Sequence, residues 1–142
     1  IERDTDGNPT AISAPHGQRT LLTLDPNGYL ASVTNPADET TQFGYTSEGL
    51  LSSLTDPRDN IHSFFYDGLG RLVRDEDPAS GWQALGRSED GDGYQVTRST
   101  ALTRSTTYRV ESLPGGDRRW LNTLADGTQS EVLIGTDGSR RT

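Results

Sequence analysis

The sequence predicts an all-β protein, a twisted antiparallel β-sheet built from tandem repeats of 21 residues. Three observations carry this. Glycine recurs every 21 residues, at Gly7, Gly28, Gly49, Gly70 and Gly91. Proline follows the first four of these by eight residues, at Pro15, Pro36, Pro57 and Pro78. No stretch carries an apolar period of about 3.6 residues, so nothing argues for a helix. Internal repetition at about 20–50 residues marks an array whose units pack on their neighbours.

Each period holds two turn signals. The first is an Asp-x-x-Gly step, "DTDG", "DPNG" and "DGLG". Asp accepts hydrogen bonds from its own backbone two residues on, and Gly takes positive φ without steric cost. The second surrounds the proline, in "APHG", "NPAD", "DPRD" and "DPAS". Proline presets φ for a turn and lacks the N–H that a central strand needs. Turns every 10 or 11 residues leave strands of roughly 6 to 8 residues, near the usual length.

The positions fifteen and seventeen residues past each glycine share one face of a strand, because side chains alternate with period two. They place Phe43 with Tyr45 and Phe64 with Tyr66, and Tyr108 falls in the same register. The two pairs are expected to form a buried ladder. Each cross-strand contact of this kind is worth about 0.2–1 kcal/mol. The other strand of the period carries Leu30, Leu51 and Leu72 at one position and Ile12, Val33 and Leu54 at another. These positions are three apart, an interval that a regular strand cannot keep on one face, so a bulge or a twist is expected there. After Gly91 the proline is lost, while Gly116, Gly127 and Gly138 stand 11 apart. The chain therefore divides into five repeats over residues 1–111 and a degenerate continuation over 112–142.

Composition bounds the function. Of 142 residues, 30% are hydrophobic, the net charge is −8, and all thirteen basic residues are Arg. Nucleic acid rewards dense positive charge, which this chain does not gather, so none is expected as a partner. No apolar run approaches the roughly 20 residues a helix needs to cross a bilayer, and no membrane insertion is expected. Without Cys there is no disulfide framework and no thiolate chemistry. The absence of Met, even at position 1, reads as a fragment of something longer.

The chemistry-bearing residues are few. There is no nucleophile elbow, phosphate-binding loop or His-Glu-x-x-His pattern, so neither enzymatic activity nor a cofactor is expected. His16 and His62 fall at or near the proline turns and read as solvated turn residues. "DTDGN" and "EDGDG" set carboxylates at alternate positions, which makes Asp4, Asp6, Asp90 and Asp92 the candidates for Ca²⁺. Both lack the terminal Glu of the full twelve-residue loop, and turn chemistry accounts for the same residues.

Residues 43–78, "FGYTSEGLLSSLTDPRDNIHSFFYDGLGRLVRDEDP", resemble the YD repeat, and the chain resembles part of an Rhs/YD-repeat protein. Phe64, Tyr66, Asp67, Gly70, Arg71, Leu72 and Pro78 match the family pattern, as do Phe43, Tyr45, Gly49, Leu51, Leu54, Asp56 and Pro57, with Thr46 in place of the Asp. The resemblance implies a sheet that is part of a spiral shell. Such shells enclose a toxin domain, as in Rhs effectors and toxin complexes, or form a teneurin-like surface scaffold. It also implies a secreted or cell-surface location. The family's Asp-Pro-x-Gly-Leu cleavage motif is not reproduced, because Tyr29 follows Asp25-Pro26-Asn27-Gly28.

Two functional readings follow. One is structural, with the rest of its own shell and an enclosed toxin domain as partners. The other is a carbohydrate- or protein-binding module that uses exposed Arg and the aromatic residues off the ladder, Tyr29, Trp82, Tyr94 and Trp120. Edge-to-edge self-association is the third expected contact. "NPTAISA" reads as the first strand and "SEVLIGTDG" as the last, and the latter, lacking proline, is the stickier edge.

Overall fold

The computed structural model describes residues 1–142. The chain is all-β: fourteen strands and no helix, hence no helix long and apolar enough to cross a membrane. It divides into two compact units, Ile1–Phe65 and Tyr66–Thr142.

The first unit contains β1 (Glu2–Arg3), β2 (Pro9–Ser13), β3 (Arg19–Leu24), β4 (Leu30–Thr34), β5 (Thr40–Tyr45), β6 (Leu51–Thr55) and most of β7 (Ile61–Tyr66). Each strand pairs antiparallel with its chain neighbour. The first strand is thus β1 rather than the "NPTAISA" segment, which is β2. The second unit contains β8 (Leu72–Glu76), β9 (Trp82–Asp90), β10 (Gly93–Thr100), β11 (Ser105–Ser112), β12 (Arg118–Thr123), β13 (Gln129–Ile134) and β14 (Arg140–Arg141), again paired in chain order.

The two turn signals make one and the same loop. At Asp4–Gly7, Asp25–Gly28 and Asp67–Gly70 the N–H of the fourth residue donates to the first carbonyl, and the first N–H donates to the carbonyl one residue beyond the loop. Asn35–Asp38, Asp56–Asp59 and Asp77–Ser80 repeat both bonds. This is a type I turn closed by a left-handed residue and a bulge. Glycine fills the left-handed position in the first group and in the matching Thr46–Gly49 loop, with φ of +85° at Gly49 and +75° at Gly70. In the proline loops after the first, which has Gly17 at 82°, the same position holds Asp38, Asp59 and Ser80, at φ 61°, 62° and 66°. Thr103 follows suit at 57° in a loop that has lost its proline. Gly91 departs from its four counterparts: it sits in a tight two-residue turn between β9 and β10, and its φ is not positive.

The interval of three is absorbed by bulges. Leu22 faces Val33 and Leu24 faces Leu30, so Ala31 is the extra residue on β4. Phe43 faces Leu54 and Tyr45 faces Leu51, which makes Ser52 the extra residue on β6. One face of the first unit thereby gathers Leu22, Leu24, Leu30, Val33, Phe43, Tyr45, Leu51, Leu54 and Phe64. The opposite face is rich in hydroxyls, which bond across strands at Thr23–Ser32 (2.7 Å) and Thr34–Thr40 (2.8 Å).

The sheet lacks a deep core. Ala11 is the one fully buried apolar residue. Phe43, Tyr45, Phe64 and Tyr66 are half-buried rather than buried, and Tyr108 is exposed. The physical reason is that within each unit every strand pairs only with its chain neighbours, so these side chains pack on same-face neighbours of one sheet. Strand lengths also depart from expectation. They run to five or six residues around the bulges of the first unit and reach eight or nine in β9 to β11.

The last strand is β14, not the "SEVLIGTDG" segment. Its Arg140 and Arg141 pair with Ile134 and Leu133, so the tail folds back over that part of β13.

Candidate functional site

Of the carboxylates that the sequence offers as cation ligands, those of Asp4 and Asp90 are engaged by the chain itself. Asp4 Oδ1 accepts the N–H groups of Asp6 (3.0 Å) and Asn8 (2.8 Å), while its Oδ2 accepts the Asn8 amide. The same clasp recurs at Asp25, Asn35, Asp56, Asp67 and Asp77, each accepting from residues two and four further on. Such bonds favour the charged carboxylate. The Asn8 backbone N–H holds Asp4 below its ordinary value, the Asn60 side chain does so for Asp56, and the Arg71 backbone N–H for Asp67. Asp6 contributes its backbone N–H to this clasp. No group of three or more His, Asp or Glu side chains converges on a point that could hold a metal ion.

Asp90 serves a different purpose from Asp4. Its carboxylate lies 2.7 Å from Arg109 Nη1. Arg109 Nε also donates to Glu111 at 2.5 Å, Arg119 takes the other Glu111 oxygen, and Glu131 stands 3.9 Å beyond. The result is a row of alternating charges, Asp90, Arg109, Glu111, Arg119 and Glu131, drawn from β9, β11, β12 and β13. The pairing register puts all five on one face. Glu111 is buried at 8% exposure, and the Arg109 hydrogen bond, with Arg119 beside it, holds its carboxyl below the ordinary range. Gly93 makes the row possible. Asp90 and Glu111 both face it across the ladders, and a Cβ there would fall on the Val110 carbonyl oxygen. Asp92 lies in the tight turn beside it, with its carbonyl accepting the Ser112 N–H at 2.7 Å.

The off-ladder aromatic residues separate into three groups. Arg74 lies over the Trp82 ring at 4.8 Å and Arg87 over the Tyr94 ring at 3.9 Å. Tyr29 stacks on Tyr45, with centroids 5.0 Å apart, and covers Gly49; Tyr45 Oη donates to the Leu30 carbonyl at 2.9 Å. Trp120 is 44% exposed with no such partner. His16 lies in the exposed Ala14–Gly17 loop. His62 is not in a turn at all: it stands within β7 opposite Leu54, half-buried.

Sequence reasoning finds the glycine loops but misses the left-handed Asp38, Asp59, Ser80 and Thr103, where no glycine marks the position. It also misses the charge row. Its one local sign is the Arg-x-Glu spacing of Arg109 and Glu111, which puts both on one face of a strand.

Each unit is an antiparallel meander of strands joined by a repeating loop. The family model described as Teneurin YD-shell matches residues 1–141. The chain belongs to that family. No curated protein matches it.

Proposed function

We propose that this chain is a wall segment of a closed shell outside the cell, with the rest of that shell and an enclosed toxin domain as its partners. Membership of the YD-shell family carries the structural role. One observation supports enclosure: the apolar face of the first unit is continuous from strand to strand yet only half-buried. Such a face stays out of water when the sheet curls round upon a filled interior.

Electron microscopy of the full-length protein tests this. The expected image is a hollow particle with protein density inside, and the internal domain should resist protease until the shell is opened. A hollow particle with an empty interior would favour a surface scaffold. A solid particle with two packed sheets would overturn the shell reading.

A further inference from the structure

We infer that the face of β10 to β14 opposite the charge row is a docking surface for an acidic polypeptide with apolar side chains. This goes beyond the wall role and does not depend on it.

The observation is a segregation of charge. On the first face Arg109 and Arg119 are neutralised by Asp90, Glu111 and Glu131. On the other face of the same strands the pairing register sets Arg118 and Arg140 on either side of Ile134. Both are exposed and neither makes an ion pair, in a chain of net charge −8. The pairing register adds Arg98 to this face and puts no Asp or Glu on it from β10 to β14, so the strands present positive charge alone there. Next to Arg118 on the same side of β12 is Trp120, which faces Val110 and Val132. Tyr108, 39% exposed, is its diagonal neighbour across β11.

Arg, Trp and Tyr are the residues that concentrate binding energy at protein interfaces, where a central aromatic anchor is rimmed by polar groups. The patch has that composition. Its apolar strip would receive side chains from the partner, and the two guanidinium groups would receive paired carboxylates, a geometry that suits Arg better than Lys. Complementary charge of this kind sets the choice and orientation of the partner.

The test uses the whole chain with Trp82→Phe, so that fluorescence reports on Trp120. The probe is a random copolymer of glutamate and tyrosine, titrated at about 50 mM salt, where charge is weakly screened. Saturable quenching is expected, weakened about tenfold or more by Arg118→Gln with Arg140→Gln. Arg141→Gln, which lies on the opposite face of the same short strand, should leave it unchanged. Thermal melts of each variant separate lost binding from lost folding. Equal weakening by Arg141→Gln would overturn the inference, since attraction would then be diffuse. So would the absence of quenching, or quenching by heparin with none by the copolymer, which would make this a polysaccharide surface.

Discussion

Arg109 reaches Asp90 over Gly93: the two side chains belong to strands that are not neighbours, and the residue between them has no side chain to obstruct the pair. The same glycine lets the β11 backbone approach so closely that any Cβ would strike it, with Glu111 Cα only 2.7 Å from the Cβ position.

Gly93→Ala should therefore destabilise the chain by about 1–3 kcal/mol, the usual cost of overpacking a tight contact. It should also part Asp90 from Arg109. Denaturant unfolding of the variant beside Asp90→Asn checks both. A Gly93→Ala chain as stable as the parent would mean that β10 and β11 have room to separate.

The left-handed loop positions make opposite predictions for opposite residues. Gly70 sits at φ +75°, so Gly70→Val should cost at least about 1–2 kcal/mol, and Gly70→Asn less. Thr103, β-branched, is held at φ 57°. Thr103→Gly should relieve that strain and raise the melting temperature, against the usual cost of adding glycine. Equal effects of Val and Asn at Gly70, or a fall in melting temperature for Thr103→Gly, would contradict the loop geometry.

Phe64 is half-buried, so Phe64→Ala should cost about 2 kcal/mol, roughly half the 3–5 kcal/mol of a fully buried aromatic. A loss at the full value would show that something covers this face in solution.

Acid should loosen both units. Glu2, held by Arg19 and Ser13, is lowered from 4.5 to about 2, and Glu111, held by Arg109, is also lowered. A carboxylate whose folded pKa lies below its unfolded one stabilises fully above the unfolded value. That contribution is lost as pH falls through the folded value. Stability should thus be flat from pH 7 to about 5, then fall between 4.5 and about 2. Urea midpoints across this range check it, and Glu2→Gln should flatten part of the fall. A loss of stability already complete at pH 5 would point to other groups.

The cadence of glycine and proline in the sequence locates nearly every loop, and the three-residue interval from Leu30 to Val33 foretells a bulge. Both are local features, written in residues a few places apart. The charge row is not local. Asp90 and Arg109 meet only because two ladders set Gly93 between them, and that register is not contained in any short stretch. Phe43 and Phe64 are less buried than their spacing suggests for a similar reason: alternation tells which side chains share a face, not whether anything lies above it.

The pairing of each strand with its chain neighbours alone has a mechanical consequence. A tug along the backbone within either unit loads the hydrogen bonds of one ladder at a time, like a zipper, instead of shearing many at once. Each 21-residue period would let out roughly 70–75 Å of slack at ~3.3–3.6 Å per residue. The wall is built to yield in small, repeated steps at low force, and a cell that must thread or pull such a chain could unravel it strand by strand.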